Sequence, residues 1–264
     1  IDPREEAKSV EKFEQYAQKF FEKRQRRGYN FYEAREKMKS RNYYAAMMVE
    51  TGDADAMISG ITRKYADTIR PALEIIGTYE PGKKVASMYL MLTKKGPVFF
   101  ADTTIISNPT SEELADIVKL TAHAVQHRFN IEPKIAMLSY SNFGSSDDAE
   151  PRTVRKAVEL LRKERPNLIV DGEIQANFAF SQEGLKENYP FSNLVGNTPN
   201  ILVFPNLSAA NIAYKLLQVM GASEAIGPIL LGMKKPVHIL QLGCSTREVV
   251  NMINIATIDA QGNA

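Results

Sequence analysis

The chain has 264 residues, of which 44% are hydrophobic and 24% are charged, and this composition excludes wholesale disorder. Its 33 basic and 31 acidic side chains leave a net charge of +2, which is too weak for a nucleic-acid-binding surface. No run of 18 apolar residues is present, so no membrane span is expected. A single cysteine, Cys244, excludes an internal disulfide and indicates a reducing, cytoplasmic setting. The opening Ile1-Asp2-Pro3, without Met or an apolar leader, indicates a segment of a longer protein.

Three helices and two strands are predicted in the N-terminal part of the chain. Aromatic and aliphatic side chains recur every three or four residues up to residue 27, and Gly28 ends this helix. Asn30 and Glu33 have the spacing of a capping box that opens a short second helix. The elements expected next are a buried strand at 43–49, a strand at 54–59 and a helix that runs to Ile76.

A hairpin is predicted after this point, because two apolar runs flank Lys94-Lys95-Gly96. Thr110 and Glu113 have capping-box spacing at the start of a long helix. The remaining elements expected are a strand at 135–140, a loop at 141–149, a helix from Pro151, a strand at 201–204, a helix from Ser208, a strand at 237–240 and a helix from Ser245. This alternation predicts an α/β fold with largely parallel sheets.

Three features are candidate sites on residue type alone. Small hydroxyl residues and a glycine at 139–146 could let backbone N–H groups approach an anion, although an ordinary polar loop has the same composition. Arg70 and the arginines before Gly28 could face a phosphate, or be solvated surface charges. His123 and His127 share a helix face, but no third ligand lies near them in sequence, so no metal site is predicted.

Several stretches, taken together and in order, resemble the phosphotransacetylase (phosphate acetyltransferase) family. They are 52–56, 66–73, 135–141, 171–175 and 227–229. A closer match is to the phosphotransacetylase-like C-terminal domain of bacterial multidomain malic enzymes. The stretches that carry this second resemblance are 141–146, 205–214, 227–232 and 236–240.

The resemblance implies two α/β subdomains of isocitrate/isopropylmalate dehydrogenase-like type, with the second inserted into the first. On this basis residues 1–80 and 235–264 form the first subdomain and residues 81–234 the second. It also implies a ligand cleft between the subdomains and a homodimer.

Active family members resemble one another in a Ser-Arg-Gly-Cys-Ser pattern followed by Asp-Ile-Val. Gln241, Leu242 and Glu248 stand here in place of its serine, arginine and aspartate. Leucine offers neither charge nor hydrogen-bond donors, so the resemblance implies a degenerate catalytic site. Glu248 also has capping-box spacing with Ser245, a structural alternative to a role as base. Phe143 and Asn177 replace a lysine and an acid of the family pattern.

The resemblance also implies ligand-binding residues for an acyl-CoA and its phosphates. They are Arg24, Arg70, Ser139, Ser141, Asn142, Gly144, Ser145, Ser146, Gly227 and Pro228.

These residues lead to one expected function and two alternatives. The leading expectation is a regulatory domain that binds acetyl-CoA as an effector, linked to an upstream malic enzyme part that alone holds NADP and a divalent metal. The first alternative is an active phosphate acetyltransferase with Glu248 as base, and the second is a purely structural dimerisation domain. Neither nucleic acid nor membrane is expected as a partner.

Overall fold

The computed structural model describes residues 10–80, 82–94, 96–221 and 223–262. The chain divides into two compact units, the first made of Ile1–Lys83 with Gly232–Ala264 and the second of Lys84–Leu231. The subdomain boundaries expected above, after residues 80 and 234, each differ from these by three residues. The second unit is therefore an insertion, in sequence, within the first.

Three helices open the first unit: α1 (Val10–Arg24), α2 (Phe31–Met38) and α3 (Arg41–Thr51). A 3-10 turn extends α1 as far as Gly28, which adopts a φ of 91° and ends the helix as predicted. The predicted capping box at α2 is confirmed, since the Asn30 side chain accepts the N–H of Glu33 at 2.9 Å and the Glu33 carboxylate accepts the N–H of Asn30 at 3.0 Å. Residues 1–9 of the predicted first helix lie outside the described residues.

The prediction of a buried strand at 43–49 is wrong, because this run lies within α3. Apolar side chains on more than one face of the helix are buried, namely Tyr43, Tyr44, Ala46, Met47 and Val49. A helix buried on several faces produces a continuous apolar run that periodicity cannot distinguish from a strand. Alanine and methionine favour the helix, and Gly52, with a φ of 83°, ends it.

The first unit is completed by a two-stranded parallel sheet and two helices. Strand β1 (Met57–Gly60) pairs with β8 (Val237–Leu240), and α4 (Tyr65–Ile75) and α10 (Thr246–Gly262) pack against them. The strand predicted at 54–59 begins only at Met57, whereas the one at 237–240 is confirmed. Large side chains that are fully buried in this unit are Phe13, Tyr16, Phe20, Met38, Met47 and Ile75.

A six-stranded sheet forms the centre of the second unit. Its strands are β2 (Ala86–Thr93), β3 (Gly96–Ala101), β4 (Lys134–Leu138), β5 (Ile169–Ile174), β6 (Ile201–Val203) and β7 (Ser223–Leu231). Their order is β5-β4-β6-β3-β2-β7. The first four strands in this order are parallel, whereas β2 is antiparallel to β3 and β7.

The sheet confirms the predicted hairpin, and most of its strand pairings are parallel, as expected. It is mixed because the hairpin strand β2 also pairs antiparallel with β7, a strand that was not predicted. Ala86 at the start of β2 lies opposite Leu231 at the end of β7, so the unit begins and ends on neighbouring strands. Strand β5 was also missed.

Five helices accompany the sheet: α5 (Ser111–Phe129), α6 (Ala149–Glu164), α7 (Ala176–Ala179), α8 (Gln182–Asn188) and α9 (Leu207–Val219). The capping box of α5 is confirmed by reciprocal hydrogen bonds between Thr110 and Glu113. Helix α6 begins two residues before the predicted Pro151, which lies in its first turn. Within the described residues, no helix combines the length and apolar character needed to cross a membrane.

Candidate functional site

The predicted site residues are distributed over both units. Arg24, Arg70 and the run 241–248 belong to the first unit, whereas the loop 139–146 and the Gly227-Pro228 pair belong to the second. The loop follows β4 and precedes α6, at the carboxyl end of a parallel strand, where α/β sheets commonly bind ligands.

The end of strand β5 holds this loop in place. The N–H of Ser139 donates to the carbonyl of Ile174 at 3.0 Å. Gln175 contacts the loop twice, because its N–H donates to the Asn142 side chain at 2.8 Å and its side-chain amide donates to the carbonyl of Tyr140 at 2.6 Å. The loop conformation is thus set by the neighbouring strand as well as by its own sequence.

Glu173 of β5 is a fully buried carboxylate beneath the loop. Its Oε1 accepts the N–H of Gly144 at 2.7 Å and the hydroxyl of Ser141 at 3.0 Å. Both of its oxygens accept hydrogen bonds from the Arg155 guanidinium, at 3.0 and 3.1 Å. Burial raises the pKa of Glu173, but the hydrogen bonds from Arg155 and Gly144 outweigh it and hold the pKa below its usual value. The resulting stabilisation is present at neutral pH and is lost as the pH falls through that lowered pKa.

The backbone N–H groups of residues 142–146 in this loop already have acceptors. The N–H of Gly144 donates to Glu173, as described above. The N–H of Asn142 donates to the Ser145 hydroxyl and the N–H of Phe143 to the carbonyl of Glu173, both at 2.9 Å. The N–H of Ser145 donates to the carbonyl of Asn142 and the N–H of Ser146 to the Ser141 hydroxyl, both at 3.0 Å. These N–H groups were expected to face an anionic ligand. Instead, the buried Glu173 and oxygen atoms of the loop itself accept their hydrogen bonds. In this conformation the loop offers side chains to a ligand, among them the exposed Tyr140 and Ser145.

Gly227 and Pro228 lie in the middle of β7. A Cβ on Gly227 would stand 2.7 Å from the Cδ1 atom of Tyr89, whose ring stacks on Tyr214 with 4.2 Å between ring centres. Tight packing therefore accounts for a glycine at this position, whether or not a ligand binds there.

The two arginines predicted to meet phosphate differ in their surroundings. Arg24, at the end of α1, lies over the ring of Tyr29 at 5.9 Å, and its buried Nε finds no hydrogen-bond acceptor among the described residues. Arg70 is exposed on α4, and no side chain or carbonyl in the described part of the chain accepts a hydrogen bond from it. Both guanidinium groups thus retain donors for an additional acceptor.

The run 241–248 comprises the connection from β8 to α10, residues 241–245, and the first turn of α10. Leu242 is 63% exposed, so an apolar side chain faces solvent where the resemblance implies an arginine. The predicted capping box is confirmed: the Glu248 carboxylate accepts the N–H and hydroxyl of Ser245 at 2.6 and 2.8 Å, and Ser245 Oγ accepts the N–H of Glu248 at 3.3 Å. Burial and the Glu248 charge raise the pKa of the Cys244 thiol, which disfavours a nucleophilic thiolate.

His123 and His127 lie side by side on α5. The ring centres of His123 and His127 lie 4.3 Å apart. Burial and the neighbouring His127 lower the pKa of His123. Over the described ranges, no group of three or more His, Cys, Asp or Glu side chains could hold a metal ion.

Glu173, Arg155 and Gln175 were missed by the sequence reasoning as parts of the site. A signal was present, because Asp171 and Glu173 interrupt an otherwise apolar strand at alternate positions. Charged residues in such a strand require buried partners. Arg162 and Arg155, two helical turns apart on α6, supply them.

Comparison with solved structures defines the class of protein. A phosphotransacetylase from Streptococcus pyogenes superposes with a TM-score of 0.86 and 38% sequence identity, over 95% of this chain and 75% of that one. Residues 4–257 also match the profile of the family described as Phosphate acetyl/butaryl transferase. The chain belongs to this family.

Phosphate acetyltransferases and NADP-dependent malic enzymes show similar sequence identity to this chain. The phosphate acetyltransferase of Clostridium acetobutylicum is 39% identical over 257 residues, which cover 95% of this chain and 77% of that protein. The NADP-dependent malic enzyme of Escherichia coli (strain K12) is 38% identical over 252 residues, again 95% of this chain but 33% of that protein. The chain therefore spans about a third of this malic enzyme's length.

Proposed function

We propose that this chain is a regulatory domain that binds acetyl-CoA as an effector, is joined to an upstream malic enzyme part, and has no phosphate acetyltransferase turnover. In this proposal NADP and a divalent metal belong to the upstream part, which would perform the oxidative decarboxylation of malate to pyruvate. The match to only a third of the length of malic enzyme relatives supports a linked upstream domain. The homodimer implied by the resemblance stays a prediction, as does a cytoplasmic location.

The observation that carries the proposal is the chemistry of residues 241–248. Acetyl transfer to a thiol needs a base near the sulfur and a cation near the phosphate or the developing oxyanion. The Leu242 side chain has no charge or donor for the phosphate or the oxyanion. Glu248, the candidate base, already accepts two hydrogen bonds at the start of its own helix. Loss of one preorganised electrostatic partner costs on the order of 10²–10³ in rate, so these two changes oppose turnover.

The retained arginines support ligand binding. A buried Arg24 Nε without an acceptor in the described structure is costly, because an unsatisfied buried donor costs about 1–3 kcal/mol. A phosphate oxygen would relieve this cost, and Arg70 supplies a second cation in the same unit. Regulation further requires that acetyl-CoA bind two states of the enzyme with different affinity.

Calorimetric titration with acetyl-CoA is expected to show saturable binding. Replacing Arg70 by Gln should weaken the affinity about tenfold or more, since a hydrogen bond to a charged group contributes about 1.5–3 kcal/mol. Arg63→Gln, which removes another exposed cation of the same unit, is the matched control and should leave the affinity unchanged. Absence of heat and of thermal stabilisation at millimolar acetyl-CoA would contradict the proposal and favour a purely structural dimerisation domain.

An assay of acetyl-CoA formation from acetyl phosphate and CoA is expected to show no turnover above background. An active transferase is the second candidate function, favoured by the 39% identity across 77% of a relative with that name. Robust turnover that is abolished by Glu248→Gln would establish that candidate instead. A phosphate acetyltransferase assayed in parallel is the positive control.

A further inference from the structure

A buried carboxylate takes the position, beneath the 139–146 loop, at which an anion would meet the loop's donors. Glu173 Oε1 accepts from a backbone N–H (Gly144) and a hydroxyl (Ser141) of this loop. The carbonyl of Glu173 also accepts the N–H of Phe143 at 2.9 Å. One residue of β5 therefore accepts hydrogen bonds from three residues of the loop, Ser141, Phe143 and Gly144.

Arg155 joins the same cluster from α6. Its guanidinium binds Glu173 through Nε and one terminal nitrogen, at 3.1 and 3.0 Å, and that nitrogen also donates to the carbonyl of Ser146 at 3.2 Å. A bidentate arginine–carboxylate pair has a fixed orientation as well as a strong attraction. The pair connects β5 and α6 to both ends of the 141–146 segment.

A second pair on the same two elements forms no hydrogen bond with the loop in the described part of the chain. Asp171 is as buried as Glu173 and binds Arg162 of α6 at 2.7 Å. Its other hydrogen bonds come from the N–H groups of Gly172 and Asn193. Both carboxylates lie on the same strand, are fully buried and bind an arginine of α6. They differ in that only Glu173 forms hydrogen bonds with the loop.

We propose that Glu173, oriented by Arg155, is a positioning residue that fixes the 139–146 loop in its ligand-ready conformation before any ligand arrives. The role rests on the proposed binding of acetyl-CoA for its functional consequence, but its structural part can be tested without ligand. Preorganisation of this kind raises affinity because the cost of ordering the loop is met during folding. Glu173 holds the loop and need not touch the ligand.

The test compares Glu173→Gln with Asp171→Asn by hydrogen exchange of the amides at 142–146 and by acetyl-CoA titration. Each variant removes one buried charge from strand β5 and leaves a side chain of the same size. We expect exchange at 142–146 to accelerate about tenfold or more in Glu173→Gln only, since its hydrogen bonds to the loop and to Arg155 weaken. We expect acetyl-CoA affinity to fall about tenfold in this variant and to stay near wild type in Asp171→Asn.

Each outcome bears on one claim. Equal exchange at 142–146 in the two variants would overturn the positioning role, whether or not acetyl-CoA binds. Accelerated exchange with unchanged affinity would also overturn it. If wild-type protein binds no acetyl-CoA, the proposed function fails, while the exchange comparison still decides whether Glu173 positions the loop.

A third variant covers the case in which Glu173→Gln does not fold. Ser141→Ala removes the hydroxyl that bonds Glu173 and accepts the N–H of Ser146, and it leaves the buried ion pair intact. Exchange at 142–146 should rise about threefold or more, because the variant loses the hydrogen bond from the hydroxyl to the Glu173 carboxylate and the acceptor of the Ser146 N–H. Unchanged exchange in this folded variant would overturn the proposal.

Discussion

Replacing Gly172 by Ala is expected to destabilise the Lys84–Leu231 unit by about 3–5 kcal/mol in urea unfolding. A Cβ at this position would stand 2.4 Å from the carbonyl oxygen of Met137 and 2.8 Å from the Met137 Cβ. Both are contacts with the neighbouring strand β4, so neither can be relieved by a side-chain rotation. The φ of 147° at Gly172 adds strain for any other residue.

Gly196→Ala provides the matched control for this experiment. Gly196 also has a positive φ, 79°, but a Cβ there would meet no atom within 4 Å. We expect a cost of about 1–2 kcal/mol, which reports the backbone conformation alone. Equal losses for the two variants would mean that the approach of β4 to β5 is not what requires glycine at position 172.

Replacing Asp102 by Ala is expected to lower the free energy of unfolding by about 3–5 kcal/mol. Asp102 is only 3% exposed, and its carboxylate accepts five hydrogen bonds. The donors are Ser87 N–H and O–H, Thr104 N–H, Ile105 N–H and Ile106 N–H. Alanine would leave the buried donors of Ser87 and Ile106 unsatisfied, as well as the part-buried N–H groups of Thr104 and Ile105.

Two further variants separate the hydrogen bonds of Asp102 from its charge. Asn can still accept at the oxygen that serves four of the donors but turns an N–H₂ group toward Ile106, so Asp102→Asn should cost about 1–3 kcal/mol. Asp147→Ala, at an exposed position of the same unit, should stay within about 0.5 kcal/mol of wild type. An Asp102→Ala loss as small as that of Asp147→Ala would contradict the role assigned to the buried carboxylate.

Elements with one apolar face or a local signal could be predicted from the sequence. The capping residues at α2, α5 and α10 act over three residues, so their spacing alone identified three helix starts. The α/β class followed from the alternation of elements, and the comparison structures bear it out. Tertiary burial decided the rest: α3 is apolar on several faces, and β5 contains two buried charges whose ionic partners are arginines of α6.

The candidate site was less predictable than the fold. Residue type identified the 139–146 loop, but the groups that hold it come from β5 and α6, distant in sequence. Side-chain chemistry alone also could not decide between base and cap for Glu248, whereas the structure shows a carboxylate that accepts from Ser245. Gly227 was assigned to a ligand because of its family motif, and the Tyr89 ring gives it a packing reason.

The pairing of β2 with β7 has a consequence for the order of folding. Because Ala86 lies opposite Leu231, the second unit folds with its two ends side by side. The entropic cost of closing a loop rises with the length of its flexible chain. Once the inserted unit has folded, the connection between the two parts of the first unit therefore costs no more entropy to close than a short loop. Pairing of β1 with β8, which are far apart in sequence, is therefore favoured once the inserted unit has folded. The same geometry would let the unit be transferred between host chains without stretching either connection.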